Sequence, residues 1–429
     1  MVKGWLIAAP ASGAGKTTVT LGILRALTRR GVSVAPFKSG PDYIDPRFHE
    51  AAAGATSRNL DAWAMDAARL AAVYGRGSGL PIVEAAMGLF DGAANGSGSA
   101  AQLARELDLD VVLVIDCARQ SHSVAALVHG FATFDATVRV RHVVLNNVGS
   151  ERHERMLRSA LPDGLVLGAL KRDPALGLPD RHLGLVQAEE IDALKAFIDR
   201  AADAVETGLD LTAFAATSPT STPQTSTDGA ARLEPLGQTI AVARDKAFSF
   251  VYPHMMEDWR ASGATIVPFS PLADEEPASD ADAVFLPGGY PELHAGRIGS
   301  AETFARGMGA AAARGATIYG ECGGYMVLGQ GMVDADGAQH AMLGMLDVET
   351  SFQTRRRVLG YRRFTTKAAT LMGGRSFTGH EYHHCTATRE RGERLFDMED
   401  ATGTALGEAG LRNGTVMGSW LHVIDRHPA

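Results

Sequence analysis

Cysteine is scarce in this sequence, which has three cysteines in 429 residues. An odd number of widely separated cysteines does not make a disulfide framework, so a reducing compartment, the cytoplasm, is expected. Long hydrophobic runs are also missing, because none approaches the length of about 20 residues that a membrane-spanning helix requires. The apolar run after Lys3 is too short for a secretion signal and leads directly into a glycine-rich turn. We therefore expect no membrane partner.

Basic residues are not in excess either. Lys and Arg number 41 against 49 Asp and Glu, and the resulting net charge of −8 disfavours a nucleic-acid-binding surface. The remaining composition, 45% hydrophobic and 21% charged residues, is that of an ordinary globular protein. The length predicts two or three domains, each large enough to bury its own core.

The sequence changes character twice along its length. Residues 1–211 alternate short apolar runs with amphipathic segments, and residues 238–429 show a second pattern of the same kind. Residues 212–237 are rich in Ser, Thr and Pro without apolar periodicity, which is typical of a linker. We therefore predict a domain at 1–211, a linker at 212–237 and a second domain at 238–429.

Several apolar runs of the first domain are continuous, as expected for parallel strands that are buried on both faces. Strands are predicted at 4–9, 33–37, 80–86, 111–116, 141–146 and 165–170, with helices at 16–30, 61–74, 100–107, 123–134 and 189–204. This alternation predicts an α/β domain with a doubly wound, mostly parallel sheet. In such a sheet the ligand lies at the carboxyl ends of the strands.

Residues 10–18, Pro-Ala-Ser-Gly-Ala-Gly-Lys-Thr-Thr, lie between the first predicted strand and the first predicted helix. This context is that of a phosphate-binding loop, although Pro10 stands where the usual pattern has glycine. Backbone N–H groups of such a loop cradle phosphate oxygens, and its lysine reaches the β- and γ-phosphates. The alternative, a plain glycine-rich turn with a solvated lysine, is disfavoured by the flanking strand and helix. The predicted ATP-binding residues are Ser12, Gly13, Ala14, Gly15, Lys16, Thr17 and Thr18.

Polar side chains follow the next two predicted strands. Asp42, Tyr43 and Asp45 lie in the turn-rich loop after the second strand, and Glu84 ends the apolar run that follows. Because these positions share the carboxyl edge of the predicted sheet, we expect them to form part of one site and to contact its substrate. For any one carboxylate alone, a helix cap or a turn residue is the competing interpretation.

Hard Mg²⁺ prefers carboxylate and hydroxyl oxygens. Thr17, Asp42 and Glu84 are therefore the predicted metal ligands, with Asp45 as the alternative to Asp42. Asn146 follows a later predicted strand and either binds the nucleotide or caps a turn. We include Asn146 among the predicted ATP-binding residues.

In the second domain, strands are predicted at 239–243, 265–267, 283–286 and 317–319, and Gly-Glu-Cys-Gly-Gly-Tyr follows the last of them. A cysteine on a sharp strand-to-helix turn is typical of a nucleophile elbow in which cysteine replaces serine. The N-terminus of the following helix is expected to lower the pKa of the Cys322 thiol. The alternative, a buried core cysteine, is disfavoured by the adjacent Glu321 and Gly323.

His422 ends a later apolar segment and is the predicted general base for the thiol. Backbone N–H groups of Gly289, in a Gly-Gly-Tyr-Pro turn, and of Gly323 are predicted to form an oxyanion hole. Three further histidines lack the spacing of a zinc site, and we expect substrate or domain contacts from them instead: His380, His383 and His384.

Taken together, these motifs resemble the cobyrinic and hydrogenobyrinic acid a,c-diamide synthases of corrin biosynthesis over nearly the whole chain. The first half is similar to a dethiobiotin-synthetase-type P-loop domain, through residues 12–18, 37–46 and 84–92. The second half is similar to a class I glutamine amidotransferase domain of α/β fold, through residues 243–250, 268–275, 286–292, 319–325 and the His422 segment.

The resemblance implies a reaction divided between two domains. Cys322 would attack the side-chain amide of glutamine, and His422 would protonate the departing ammonia. MgATP would phosphorylate the a and c acetate carboxylates of the corrin ring, with Asp42, Tyr43 and Asp45 ordering carboxylate and metal. Ammonia would then convert the acyl phosphate to the amide. The implied cofactor is Mg²⁺, the co-substrates are ATP and L-glutamine, and a homodimer is the expected assembly.

Two positions depart from the related sequences. Ile424 stands where many class I glutaminases have an acidic residue, which reduces the triad to Cys322 and His422 and leaves the group that orients His422 undefined. Ala85 stands where glycine is common. The alternatives are a sister amidase, either cobyric acid synthase or nickel-sirohydrochlorin diamide synthase, another ATP-dependent carboxylate amidase, and a regulatory P-loop ATPase with an inert amidotransferase-like domain.

Overall fold

The computed structural model describes residues 3–177, 188–215, 232–354, 356–367 and 371–427. The chain divides into two compact units, Met1–Ala230 and Ala231–Ala429. The linker predicted at 212–237 lies mostly outside the described residues, so its boundaries stay a prediction.

In the first unit, strands and helices alternate along the chain. The strands are β1 (Trp5–Ala8), β2 (Val34–Ser39), β3 (Arg58–Leu60), β4 (Leu80–Glu84), β5 (Asp110–Asp116), β6 (Val140–Val148) and β7 (Val166–Lys171). The helices are α1 (Lys16–Arg29), α2 (Asp45–Ala53), α3 (Ala67–Tyr74), α4 (Ala100–Glu106), α5 (Val124–Thr133), α6 (Glu151–Ser159), α7 (Ala188–Gly208) and α8 (Thr212–Ala215).

These strands form one seven-stranded sheet in the order β3-β2-β4-β1-β5-β6-β7, and every neighbouring pair is parallel. Both β1 and β4 are buried along their whole length, which explains their continuous apolar sequences. Because parallel strands end at the same edge, the loops after β1, β2 and β4 lie side by side there. The predicted doubly wound α/β fold is confirmed.

Several elements of this unit differ from the prediction, and α2, β3 and α8 were not predicted. The helix expected at 61–74 begins at Ala67, because Asp61 forms a turn and Asp66 caps the helix by accepting the Arg69 N–H at 2.7 Å. Helix α6 was not predicted. Its nine residues bury Leu157 alone, so no apolar periodicity marks it in the sequence.

The second unit begins with the same alternation and continues as a run of strands. Its strands are β8 (Thr239–Ala243), β9 (Thr265–Phe269), β10 (Ala283–Leu286), β11 (Thr317–Glu321), β12 (Gly331–Val333), β13 (Gln339–Ala341), β14 (Val348–Ser351), β15 (Val358–Thr366), β16 (Ser376–His383), β17 (Thr386–Glu390), β18 (Glu393–Asp400), β19 (Ala405–Asn413), β20 (Val416–Ser419) and β21 (Leu421–Arg426). Its helices are α9 (Pro253–Ala261), α10 (Ala295–Gly299), α11 (Glu302–Ala313) and α12 (Gly323–Leu328).

A ten-stranded sheet organises this unit, in the order β21-β16-β15-β18-β19-β20-β11-β10-β8-β9. The pairs from β9 to β20 are parallel, and those from β20 to β21 are antiparallel. A four-stranded sheet, β13-β12-β14-β17, accompanies it. The four predicted strands of this unit correspond to β8–β11. The antiparallel half was predicted only in part, because strands such as β15 and β19 are incompletely buried and lack the continuous buried apolar run of a strand such as β10.

Within the described parts of the chain, no helix combines the length and the apolar character needed to cross a membrane.

Candidate active site

The loop after β1 has the geometry of a phosphate-binding loop. Gly13 and Gly15 adopt φ angles of 83° and 88°, in the left-handed region that favours glycine. Gly15 is the N-cap residue directly before α1, so the backbone of the loop leads into a helix N-terminus. A Cβ on Gly15 would collide with the side chain of Asn146. Glycine is therefore required here by conformation and by space.

Two side chains support this loop. Asn146, which follows the buried centre of β6, donates its amide to the Ala14 carbonyl at 2.9 Å. Lys16 Nζ lies 3.3 Å from the Ala11 carbonyl, and burial lowers the pKa of Lys16 despite the opposing effect of Glu84. Asn146 thus braces the loop, and the predicted contact of Asn146 with the nucleotide stays a prediction. Ser12 is exposed at the tip of the loop.

We expect Gly15→Ala to weaken ATP binding by about tenfold or more, a change of ~1.4 kcal/mol, because the new methyl group displaces the Asn146 brace. Because alanine is strained in the left-handed backbone conformation, the free energy of unfolding should also fall by about 1–2 kcal/mol. Gly31→Ala is the matched control, since Gly31 has a φ of 76° and open space around its Cβ position. Calorimetric titration with ATP and thermal unfolding should show a comparable strain loss in both variants. Equal ATP affinity in both would contradict the brace.

A buried group of polar side chains lies at the carboxyl ends of β2 and β4, and we call it the Lys38 cluster: Lys38, Asp45, His49 and Glu84. Lys38 Nζ lies 2.6 Å from Asp45 Oδ2 and 2.9 Å from Glu84 Oε1. His49 Nε2 lies 2.7 Å from Glu84 Oε2, and the Thr17 hydroxyl donates to Glu84 Oε1 at 2.7 Å. Each member of the cluster is at most 2% exposed. The cluster therefore links the phosphate-binding loop to the loop after β2.

The cluster is held in its charged form by mutual attraction. Burial acts to lower the pKa of Lys38, but Glu84 and Asp45 outweigh it, and the pKa lies above its usual value. Burial likewise acts to raise the pKa of Glu84, and Lys38 and His49 outweigh it, so that the pKa is lowered. The ionised Glu84 side chain therefore stabilises the folded state at pH values above the pKa that Glu84 has in the unfolded chain. This stabilisation is lost as the pH falls toward the lower pKa that Glu84 has in the folded state.

Asp42 lies at the edge of the Lys38 cluster. Its Oδ1 accepts the N–H groups of Ile44 and Asp45 at 2.8 and 3.0 Å, and its Oδ2 lies 4.0 Å from Lys38 Nζ. Tyr43 is half-buried beside it. The turn-forming role that the sequence offered as the alternative is therefore observed for Asp42, and a substrate role for Asp42 and Tyr43 stays a prediction.

The predicted magnesium ligands are brought together in part. Thr17 and Glu84 place a hydroxyl and a carboxylate in contact, which are the donor types that Mg²⁺ takes. One oxygen of Asp42 is engaged by its own turn. Among the described residues, no group of three or more His, Cys, Asp or Glu is arranged to hold a metal ion. Thr17 and Glu84 fit the ion, and Asp42 fits it less well.

In the second unit, Cys322 occupies the sharp turn between β11 and α12. Its φ and ψ angles are 46° and −103°, a strained conformation for a residue other than glycine. Its N–H donates to the Ser419 carbonyl at 2.8 Å. A Cβ on Gly324 would collide with the Leu286 carbonyl, so close packing explains the glycine that follows. This is the geometry of the predicted nucleophile elbow.

The turn at Gly288 and Gly289 lies between the cysteine elbow and His422 in space. A Cβ on Gly323 would lie 3.1 Å from the Gly289 nitrogen, so the two predicted oxyanion-hole glycines are neighbours. A Cβ on Gly288 would collide with the His422 ring, which places that ring beside the same turn. The predicted nucleophile, base and backbone donors therefore meet at one point of the second unit.

The expected low pKa of the Cys322 thiol is wrong. Burial raises the pKa of Cys322 well above its usual value, and the nearby Cys385 and Glu292 add to this. Helix α12 has six residues, and its N-terminus does not offset the loss of water around the sulfur. A thiol with a raised pKa needs a base that takes its proton, and the assignment of His422 as this base stays a prediction.

Two family models match the chain. One, a CobB/CobQ-like glutamine amidotransferase domain, matches residues 239–428, and the other, a CobQ/CobB/MinD/ParA nucleotide binding domain, matches residues 5–186. The hydrogenobyrinate a,c-diamide synthase of Brucella suis biovar 1 (strain 1330) is 56% identical over 431 residues, which cover 99% of either chain. That of Rhizobium meliloti (strain 1021) is 54% identical with the same coverage. The chain belongs to the hydrogenobyrinate a,c-diamide synthase family.

Membership in this family confirms the resemblance drawn from the motifs, the α/β fold class and the class of enzyme, a glutamine-dependent amidating ligase. The nucleotide-binding and amidotransferase domains support the use of ATP and glutamine. A solved structure of the septum site-determining protein MinD from Pyrococcus horikoshii OT3 with Mg-ADP covers 47% of this chain and 96% of its own, at 17% identity and a TM-score of 0.28. That similarity is too low to support any argument.

Sequence reasoning did not predict the contacts of three residues that the diamide synthase fold brings into these sites. Lys38 was noted only as part of a motif, His49 was not considered, and His380 was expected to contact substrate or a domain. The rings of His380 and His422 stack in parallel with centroids 4.6 Å apart. A lysine in an otherwise apolar strand was the available signal for Lys38, because a buried charge requires partners.

Proposed function

We propose that this chain converts the a and c acetate carboxylates of hydrogenobyrinic or cobyrinic acid to amides, with ATP as the phosphoryl donor and glutamine as the nitrogen donor. The observation that carries the proposal is that one chain of this family contains two sites. One is a phosphate-binding loop joined to a buried polar cluster, and the other is a cysteine elbow beside a histidine. The names of the relatives support hydrogenobyrinate as the ring.

In the first unit, an oxygen of the corrin carboxylate attacks the γ-phosphorus of ATP, and ADP leaves with the bridging oxygen. The loop amides and Lys16 bind the phosphates and offset the charge that develops on them. Lys38, held by Glu84 and Asp45, lies at the edge of the sheet where the reacting groups meet. Thr17 and Glu84 would hold Mg²⁺, which offsets charge on the β- and γ-phosphates when it is bound.

In the second unit, the Cys322 sulfur attacks the side-chain carbon of glutamine. His422 takes the thiol proton and gives it to the departing ammonia. The N–H groups of Gly289 and Gly323 stabilise the oxyanion of the tetrahedral intermediate. Water then cleaves the thioester and releases glutamate.

Ammonia completes the reaction in the first unit. Its nitrogen attacks the acyl carbon of the phosphorylated side chain, phosphate departs with the bonding electrons, and loss of a proton leaves the amide. Phosphorylation is needed because a free carboxylate is a poor electrophile, whereas an acyl phosphate carries a good leaving group.

Mass spectrometry of the products tests the proposal. Hydrogenobyrinic acid and cobyrinic acid are each incubated with the protein, MgATP and glutamine. We expect two successive replacements of hydroxyl by amino groups, each accompanied by one glutamate, one ADP and one phosphate. The ring that reacts faster identifies the natural substrate. Glutamine hydrolysis without any mass change on either ring would overturn the corrin assignment.

The same assay separates the alternatives. A cobyric acid synthase would amidate other side chains of the ring, and a nickel-sirohydrochlorin diamide synthase would require a different tetrapyrrole. A regulatory ATPase would not turn over glutamine. The scarcity of cysteine supports the cytoplasm as the proposed location, and sedimentation velocity tests the expected homodimer.

A further inference from the structure

The general base of the proposed glutaminase needs a group that orients its ring. A histidine that takes a proton at one nitrogen works best when an acceptor holds the N–H at the other nitrogen. In this chain the residue two positions after His422 is Ile424, which is fully buried. The strand that carries His422 therefore supplies no orienting carboxylate at that position.

A carboxylate reaches His422 from another strand. Glu321 ends β11, directly before Cys322, and its side chain is 2% exposed in its ion pair with His422. Its Oε1 accepts the N–H of Val423 at 3.1 Å, and its Oε2 lies 4.0 Å from His422 Nδ1. The backbone next to His422 thus anchors the carboxylate beside the ring. The contact is longer than a hydrogen bond, as is common for catalytic pairs in the absence of substrate.

We propose that Glu321 is the positioning residue for His422 and takes the place of the acid that a cysteine–histidine–acid triad would have. The inference rests on the proposed glutaminase function. Glu321 holds Nδ1–H, so that Nε2 is presented to the thiol. The proton moves from the Cys322 sulfur to Nε2 and then to the departing ammonia, and the Glu321 carboxylate offsets the positive charge of the intermediate imidazolium.

The other ionisable groups around His422 do not fill this role. The ring of His380 stacks on that of His422, and His383 lies nearby; both imidazoles act with burial to lower the pKa of His422. A further carboxylate of the region, Glu381, is engaged by Arg362 at 2.9 Å and by His383 at 3.0 Å. Glu321, in contrast, lies within ion-pair distance of His422.

The pH dependence of glutamine hydrolysis distinguishes a charged partner from a structural one. Burial raises the pKa of Glu321 to about 8, even though the Val423 N–H and the neighbouring Tyr319 favour its ionised form. Because the pKa of His422 is lowered, that base is neutral throughout the pH range around 8. Because the pKa of Cys322 is raised, its thiol ionises only at higher pH. We therefore expect kcat/KM for glutamine to rise with pH through a step near 8 that reports the ionisation of Glu321.

Glu321→Gln is the decisive variant, because its amide oxygen still accepts the Val423 N–H while the charge is removed. Above pH 8, where Glu321 is ionised, we expect kcat for glutamine hydrolysis to fall about 10²-fold with little change in KM, and the step near pH 8 to disappear. Amidation driven by added ammonia should be unchanged. Glu321→Asp, which keeps the charge, should recover part of the rate and retain a step. Glu399→Gln, an exposed glutamate of the same sheet, is the matched control and should behave as the wild type.

The outcomes separate this inference from the proposed function. If the wild-type protein neither hydrolyses glutamine nor amidates a corrin, the proposed function fails. If the wild type is active and Glu321→Gln keeps both its kcat and its pH step, the positioning role of Glu321 is overturned while the proposed function stands. Glu321→Gln could fail to fold. In that case, the absence of a step near pH 8 from the profiles of both the wild type and Glu321→Asp would overturn the positioning role of Glu321.

Discussion

Cys322→Ser is expected to lower glutamine-dependent amidation by at least ~10³-fold and to leave ammonia-dependent amidation intact. Serine keeps the shape of the elbow but lacks the thiol that His422 activates, so no thioester forms. Added ammonia bypasses this step, because the phosphate-binding loop and the Lys38 cluster lie in the other unit. Product mass spectrometry with glutamine and with ammonium chloride, at equal ATP, measures both rates.

Cys117→Ser is the matched control for this experiment. Cys117 is a buried free cysteine of the first unit and does not belong to the elbow, so the proposed reaction assigns its sulfur no nucleophilic role. Both amidation rates should persist in this variant. Equal loss of the two rates in a folded Cys322→Ser protein would argue against a separate glutaminase centre.

Lys38→Met is expected to destabilise the first unit by about 3–5 kcal/mol, because it leaves two buried carboxylates without their cation. Its amidation rate with ammonia should also fall by about 10²-fold or more, since a positive group at the phosphoryl-transfer site is lost. Two of the four tryptophans, Trp5 and Trp63, belong to this unit. Calorimetric unfolding of the full chain therefore measures the unfolding transition of the first unit. Tryptophan fluorescence helps to assign that transition to this unit.

Arg29→Met tests whether burial causes this effect. Arg29 pairs with Asp199 and Asp203 at 3.0 and 2.6 Å, but these groups are largely solvated, and exposed pairs contribute at most about 1 kcal/mol. The double variant Lys38→Met/Glu84→Gln removes one uncompensated carboxylate and should regain part of the stability without regaining the amidation rate. A loss in Lys38→Met no larger than that in Arg29→Met would contradict the buried ion-pair network.

The sequence predicted those parts of the molecule whose signals are local. The glycine loop at 10–18 and the elbow at 320–325 were identified because left-handed or crowded backbone positions accept few residues other than glycine. The parallel strands were identified because burial on both faces leaves continuous apolar runs. Helix α6 and much of the antiparallel half of the second sheet were missed, because their exposed faces carry charges and hide the periodicity.

The contacts within each site were not predictable from the sequence. Asn146 and Ala14 are 132 residues apart, and Glu321 and Val423 are 102 residues apart. No local pattern reports such pairings. The thiol pKa was predicted in the wrong direction for the same reason, since the sequence displays a helix start but not the loss of solvent around the sulfur.

The sequence by itself determined the two reactive centres of this protein, a phosphate-binding loop and a cysteine elbow, together with the family to which it belongs. The tertiary structure alone decided how the charges of each centre are satisfied. It places Lys38 between Asp45 and Glu84 and brings Glu321 beside His422. The physical reason is that glycine conformation and strand burial are properties of neighbouring residues. The energy of a buried charge depends instead on partners that only the folded chain brings within a few ångströms.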